Sequence, residues 1–265
     1  VILKAAANLA PNVTSGAVTS ISLGAGNDTL ANANTTAHTM TGVTIDGGEG
    51  IDTVYASLMN AGNASQFIGF ETLGLDFTAN GATYDVSLKS GISTLVAAAT
   101  IAGSSTVTYS GVTAAQSLVY AKAQTAATSV LTLTMGTAEF LGAADSYTIT
   151  AANGVGTTIA TATSTVNQLG KVNIDYIENV NIVSTGAFGY VNNTIIVGAT
   201  RAKTVTIIGD QDISLTTSGM GQVAGAAAPS VANGTGVSSI DATGLSGDLT
   251  LDTANVTNNI YGLTV

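Results

Sequence analysis

Two glycine-rich segments near the N-terminal end constrain the fold more than any other feature of the chain. Residues 47–54 have the sequence GGEGIDTV, and residues 23–30 have the sequence LGAGNDTL. Both end in Gly-x-Asp-Thr and a large apolar residue, which is the pattern of a glycine-rich nonapeptide repeat. Because glycine adopts positive φ at little cost, such a segment can turn tightly and then enter a short strand.

The same segments predict a calcium site. Glycine leaves its carbonyl oxygens uncovered and the aspartate adds a carboxylate, and Ca²⁺ prefers six to eight such oxygens at roughly 2.3–2.6 Å. The candidate ligands are Gly24, Gly26, Asp28, Asp46, Gly48, Gly50 and Asp52. The alternative is that both segments are plain connections between strands.

The spacing of the two motifs tests whether they can share one ion. Asp28 and Asp52 are 24 residues apart, whereas two uninterrupted nonapeptides would place them about 18 apart. The excess falls in the polar segment 31–40, which we expect to bulge out as a loop. The two turns can therefore still stack and hold a shared calcium ion.

Other polar residues are weaker candidates. Asp210, Asp212 and Asp241 are possible further calcium ligands, although aspartates that stabilise turns through their own side chains explain them better. Glu71 and Glu178 could be acids of a hydrolase, but solvated or backbone-capping glutamates are the favoured interpretation. The single histidine, His38, is most simply a solvated loop residue.

The rest of the chain predicts an all-β fold. Apolar residues alternate with polar ones over 131–135, 213–216 and 249–252, as in strands with one buried face. Few hairpin signals separate these runs, which favours a parallel β-solenoid of the β-helix or β-roll kind over tandem β-sandwich domains. We expect a calcium-binding β-roll segment over 1–60 and a solenoid scaffold over 61–265.

Three local features add detail to this prediction. Alanine-rich segments at 113–128 and 136–144 could form short helices. Glycine-containing turns are expected at 110–112 and 246–248. Residues 70–75 (FETLGL) and 177–182 (IENVNI) share one pattern, which is either an internal repeat or chance in a biased composition.

Composition excludes several classes of protein. The chain has no cysteine and one histidine, so thiol chemistry, a disulfide scaffold and a two-histidine metal site are ruled out. Six Lys and Arg against 16 Asp and Glu give a net charge of −10, which argues against nucleic-acid binding. The most apolar stretch, 95–102, is much shorter than the roughly 18 residues of a membrane span.

At its two glycine-rich segments the chain resembles the RTX family of calcium-dependent secreted bacterial proteins. Residues 69–73, 177–182, 205–215 and 239–251 resemble recurring phrases of the RTX-containing surface-layer (S-layer) proteins and adhesins of Gram-negative bacteria. The resemblance implies type I secretion, folding with calcium outside the cell, and self-assembly into a two-dimensional lattice on the cell surface. The chain would then be a fragment of a longer protein, anchored to lipopolysaccharide or glycan by regions outside it.

Two other functions remain open at this point. The chain could be the stalk or binding module of a large RTX adhesin. It could also be the non-catalytic end of a secreted hydrolase, although no nucleophile and base can be assembled around a single histidine. We therefore expect a structural protein without catalytic residues, with itself as its main partner.

Overall fold

The structure is a computed structural model, and it describes residues 2–5, 20–32, 42–76, 78–137, 144–153, 166–186, 192–218, 220 and 237–255. In these residues the chain alternates between strands of two opposing layers. The odd-numbered strands form one ten-stranded sheet: β1 Ile2–Ala5, β3 Thr29–Asn32, β5 Thr53–Tyr55, β7 Thr72–Leu75, β9 Thr94–Ala97, β11 Ser117–Tyr120, β13 Ser146–Asn153, β15 Asn179–Gly186, β17 Thr204–Gly209 and β19 Ser239–Leu245.

The even-numbered strands form the opposite layer in two sheets. The three-stranded sheet contains β2 Ser20–Ser22, β4 Thr44–Asp46 and β6 Phe67–Ile68. The seven-stranded sheet contains β8 Thr83–Asp85, β10 Thr106–Val112, β12 Val130–Met135, β14 Asn167–Ile174, β16 Asn193–Gly198, β18 Ile213–Ser218 and β20 Leu249–Asn255. Three short 3-10 helices lie at Ala56–Leu58, Ala64–Gln66 and Val86–Leu88.

Each strand pairs in parallel with the strand two places along the chain, for example β13 with β15 and β14 with β16, except that β6 and β8 are the end strands of two separate sheets. This connectivity is a parallel β-solenoid in which one coil contributes one strand to each layer. The predicted fold class is therefore confirmed, and the described strands do not form antiparallel sandwiches. The predicted division at residue 60 stays a prediction, and the ten-stranded sheet continues across it through the pairing of β5 with β7.

The core lies between the two layers and is built from stacked apolar side chains. One column of the ten-stranded sheet is in register over eight coils and is fully buried: Leu30, Val54, Leu73, Leu95, Leu118, Ile149, Ile182 and Ile207. Every second residue along these strands points inwards, because side chains of a strand alternate between its two faces. Thr, Ser and Asn occupy most outward positions.

The local predictions had mixed outcomes. The strands at 131–135, 213–216 and 249–252 and the turn at 246–248 are confirmed. The helix predicted at 113–128 is wrong, since it contains β11. The turn predicted at 110–112 is also wrong, because Gly111 (φ +68°) lies at a bulge within β10. Residues 138–143 of the second predicted helix, most of the predicted loop 31–40, and His38 lie outside the described residues.

Candidate metal centre

The two glycine-rich turns stack directly on each other. The Glu49 N–H donates to the carbonyl oxygen of Gly24 at 3.0 Å, and the Gly26 N–H donates to the carbonyl oxygen of Glu49 at 2.7 Å. Immediately afterwards Thr29 of β3 pairs with Thr53 of β5. The 24-residue offset that the sequence indicated is therefore the register of these coils.

Glycine is required in this stack for two reasons. Gly48 and Gly50 have φ values of +100° and +135°, where other L-residues are strained. A Cβ on Gly48 would lie 1.9 Å from the carbonyl oxygen of Gly24, and a Cβ on Gly50 would lie 2.3 Å from that of Gly26. The four predicted glycines therefore form two close backbone contacts between neighbouring coils.

The two aspartates are buried at the corner where the turns enter the ten-stranded sheet. Asp28 is 2 % exposed and Asp52 is 0 % exposed. The Asp28 N–H donates to Oδ1 of Asp52 at 2.7 Å, and the Thr53 N–H donates to the carbonyl oxygen of Asp28 at 2.8 Å. Each coil thus bonds the next through an acidic side chain as well as through its backbone.

A third coil extends this arrangement. The Asp52 N–H donates to Oε2 of Glu71 at 3.0 Å, as the Asp28 N–H does to Asp52. Gly69, two residues before Glu71, has a φ of +62°. Sequence reasoning missed this coil as part of the site. The signal was present, because 26–30 (GNDTL), 50–54 (GIDTV) and 69–73 (GFETL) share Gly-x-acid-Thr-apolar.

Two oxygen acceptors converge beside Gly47. The position that a Cβ of Gly47 would occupy is 2.2 Å from the carbonyl oxygen of Gly69 and 2.5 Å from Oδ2 of Asp52. That Oδ2 atom is buried and has no hydrogen-bond partner. A buried carboxylate oxygen costs free energy unless a donor or a cation compensates it. The Cβ position of Gly47 is itself too crowded for an ion, but the uncompensated carboxylate oxygen and the neighbouring carbonyl oxygen are of the chemical kind that a hard cation binds.

Asp46 lies in the same turn, immediately before Gly47. Its Oδ1 accepts the Gly48 N–H at 3.1 Å and is 2.9 Å from the position of a Cβ on Gly69. The structure thus brings all seven first-ranked residues of the sequence prediction into neighbouring positions. Among the described residues, no three acidic or histidine side chains form a metal-binding cluster on their own, so a cation here would need backbone carbonyl oxygens as well.

The three lower-ranked aspartates lie elsewhere, in the coils around β17 to β20. Asp212 Oδ1 accepts the Asp248 N–H at 2.8 Å, and Asp210 is exposed in the turn before β18. Asp241 Oδ1 accepts the N–H and the hydroxyl of Thr243 at 2.9 and 2.7 Å, and these hydrogen bonds hold the pKa of Asp241 below its ordinary value. Asp241 therefore stabilises its own backbone two residues further on, as the favoured interpretation predicted, whereas Asp212 bonds the backbone of the next coil, 36 residues away, and not that of its own turn.

Glu71 and Glu178 are backbone-capping residues, as predicted. Glu178 is 4 % exposed, and its Oε2 accepts the Asp145 N–H at 3.1 Å, which matches the bond from Asp52 to Glu71. Both glutamates immediately precede a strand of the ten-stranded sheet. The ladder nevertheless aligns Thr72 with Asn181 rather than Asn179, through Thr94, Ser117 and Thr148. The two similar sequence segments therefore each supply a backbone-capping glutamate before a strand of the ten-stranded sheet. The strands that follow are displaced by two residues relative to each other in the sheet register.

No protein-family model matches the chain, and a search of curated proteins finds no similar sequence. Within the described part of the chain, no helix is both long and apolar enough to cross a membrane.

Proposed function

We propose that this chain is a structural segment of a bacterial surface layer that folds with calcium outside the cell and assembles with copies of itself. The observation that carries the proposal is the uncompensated Asp52 oxygen beside the carbonyl oxygen of Gly69, within the stacked glycine turns. Both oxygens lie within 2.5 Å of the Cβ position of Gly47, and two acceptors held this near each other repel unless a proton or a cation lies between them. The proposal includes no catalysis.

Calcium would be held by the carboxylates of Asp52, Asp46 and Asp28 together with carbonyl oxygens of the stacked glycines. Its chemistry there is purely electrostatic: a divalent cation neutralises the acidic corner and links neighbouring coils. The chain carries a net charge of −10, so the bound ion also reduces repulsion within the folded state. Since calcium is scarce in the cytosol, folding would be favoured after export.

The scaffold also supports a structural role. Parallel coils stack in one direction and bury continuous columns of apolar side chains, an architecture suited to an extended spacer. Outward positions hold mostly Thr, Ser and Asn, which permits close packing between copies. An adhesin stalk would share this architecture, and lattice formation distinguishes the two.

Thermal melting with calcium, with magnesium and with a chelator tests the calcium proposal. Calcium at about a hundred times its dissociation constant should stabilise the chain by about 2.7 kcal/mol relative to chelator, and magnesium by much less. Electron microscopy of the calcium sample should show two-dimensional arrays. An unchanged melting temperature would contradict the calcium site, and single rods at all protein concentrations would contradict the lattice.

A further inference from the structure

The outer face of the ten-stranded sheet is built from two in-register columns. The first column consists of Thr29, Thr53, Thr72, Thr94, Ser117, Thr148, Asn181 and Thr206. The second column, two residues further along each strand, consists of Tyr55, Gly74, Val96, Val119, Thr150, Val183 and Ile208. We call these two columns the odd-strand face. It pairs a stripe of small polar side chains with a stripe that is mainly apolar.

The odd-strand face carries no acidic or basic residue from β3 to β17. The opposite outer face differs, because Lys171 lies at its centre between Val130 and Ile196. Charged residues lie at the ends of both faces: Asp85 and Asp252 on β8 and β20 of the opposite face, and Asp241 on β19, where it continues the column of Thr206. In a chain with 22 charged residues among its Lys, Arg, Asp and Glu, an uncharged face over eight coils is a distinctive surface.

The odd-strand face has few large side chains. Tyr55 is its one aromatic residue, and its ring lies against Gly74 of the next coil, where a Cβ would be 2.4 Å from Tyr55 Cδ1. On β7 the face is buried at Thr72 and Gly74, Ile208 at the end of the apolar stripe is 42 % exposed, and the other residues of the two columns are half-buried. A sheet surface can pack against another sheet at about 10 Å.

We propose that the odd-strand face is the surface through which one copy of this chain packs against a second copy, an inference that rests on the proposed self-assembly. Like-charged molecules with a net charge of −10 each repel, and contact is least unfavourable where neither surface carries charge. The odd-strand face meets this condition for two identical chains, and it leaves the acidic glycine corner outside the contact.

The available area is sufficient for such a contact. Seven spacings of about 4.8 Å between β3 and β17 give a length of about 34 Å, and the strands, of three to eight residues, are on average about 15–20 Å long. Each copy would therefore contribute roughly 500–700 Å², and the pair would bury at least about 1,000 Å², which is the lower range of specific interfaces. Because a lattice contains many copies of the contact, the area and affinity of each single contact can be small.

A matched pair of positions tests this assignment. Thr148 on the odd-strand face lies between Ser117 and Asn181, and Thr132 on the opposite face lies between Thr108 and Asn173. Both threonines are half-buried in the middle of a strand. Glutamate and lysine at each site change the net charge equally at the two positions, in both directions. Thr94 and Thr108 form a second pair if a variant at Thr148 fails to fold.

Association in calcium is measured by light scattering and electron microscopy, after circular dichroism shows that each variant is folded. We expect Thr148→Glu and Thr148→Lys both to weaken association by about tenfold or more, since each would bury an unpaired charge. Thr132→Glu and Thr132→Lys should stay within about twofold of the unmodified chain. Equal assembly of the Thr148 variants, or an equal loss in the Thr132 variants, would overturn the assignment of the face. Absence of assembly in the unmodified chain would overturn the proposed function and this inference together.

Discussion

Replacing Asp52 separates its two roles, as a partner of the backbone and as a calcium ligand. Oδ1 accepts the Asp28 N–H at 2.7 Å, while Oδ2 has no partner and faces the carbonyl oxygen of Gly69. Asp52→Asn keeps an acceptor for the Asp28 N–H and places an NH₂ donor beside the Gly69 oxygen. Asp52→Ala removes both.

The two variants should therefore differ in chelator. The Asn variant removes a buried uncompensated oxygen, and we expect it to be at least as stable as the unmodified chain, with a gain of up to about 1–3 kcal/mol. The Ala variant leaves the Asp28 N–H without its acceptor at a cost of about 1–3 kcal/mol. Asp52→Asn should thus exceed Asp52→Ala by roughly 2 kcal/mol, or about 4–8 °C in melting temperature.

Calcium should reverse the order of Asp52→Asn and the unmodified chain. The unmodified chain gains about 2.7 kcal/mol at a hundredfold excess of calcium over its dissociation constant. Asp52→Asn should lose most of this gain, because a neutral amide oxygen is a poorer ligand for a hard divalent cation than a carboxylate. We therefore expect Asp52→Asn to be the more stable protein in chelator and the unmodified chain to be the more stable protein in calcium.

Urea unfolding can be followed by circular dichroism or by the fluorescence of the eight tyrosines, since the chain has no tryptophan. Asp210→Asn is the matched control, because it removes the same charge from an exposed turn outside the site. If Asp52→Asn were less stable than the unmodified chain by the same amount in calcium and in chelator, Asp52 would only cap the backbone. If Asp210→Asn also lost the calcium response, the response would reflect net charge and not a site.

Two further predictions concern the scaffold. Glu178→Ala should destabilise the chain by about 1–3 kcal/mol in urea unfolding, because the Asp145 N–H loses its acceptor. Glu178→Gln should recover much of that loss, since its amide oxygen can still accept the hydrogen bond. Equal destabilisation by the two variants would show that the charge of Glu178 matters and not its hydrogen bond. Burial raises the pKa of Tyr109, Tyr120 and Tyr147 above the ordinary value of 10.0, so the folded state retains these protons when the unfolded state has lost them. Stability should be fully present below pH 10 and fall above it by about 1.4 kcal/mol per pH unit for each tyrosine. Since the chain has eight tyrosines, phenolate absorbance equivalent to more than five of them before unfolding would contradict the burial of these three.

Much of the fold could be predicted because the alternation of apolar and polar residues within each strand can be read from a few neighbouring residues. Alternation of apolar and polar residues located β12, β18 and β20, and the lack of hairpin signals indicated parallel strands. The segment 113–128 misled because its alanines favour helix. Leu118 and Tyr120 of β11 are fully buried, and β11 pairs with β9 and β13. Tertiary pairing outweighed the intrinsic propensity of that segment.

The candidate site could be predicted only in part, because its third coil departs from the nonapeptide pattern. Glu71 takes the position of an aspartate, and Phe67 stands where Gly48 stands in the preceding motif. The contacts from Gly47 to Gly69 and from Asp52 to Glu71 join the same two coils at separations of 22 and 19 residues, because the turn 47–52 lies against the shorter turn 69–71. A fixed nonapeptide spacing does not reveal a turn that is shortened in this way.

The residues at the corner where the turns enter the ten-stranded sheet bear on whether this corner is purely structural or binds a cation. Acidic residues occupy the corner in three successive coils, at Asp28, Asp52 and Glu71, and Ser93 occupies it in the fourth. The Ser93 N–H donates to the carbonyl oxygen of Glu71 at 2.8 Å, so a neutral residue is sufficient to continue the stack there. Like charges in adjacent coils, at strand spacings of about 4.8 Å, repel by roughly 1–4 kcal/mol depending on the local dielectric. Backbone capping alone could therefore use serine or an amide at all four positions, whereas three stacked carboxylates need protons, hydrogen-bond donors or a cation to offset their repulsion, and the proposed calcium ion would have this role.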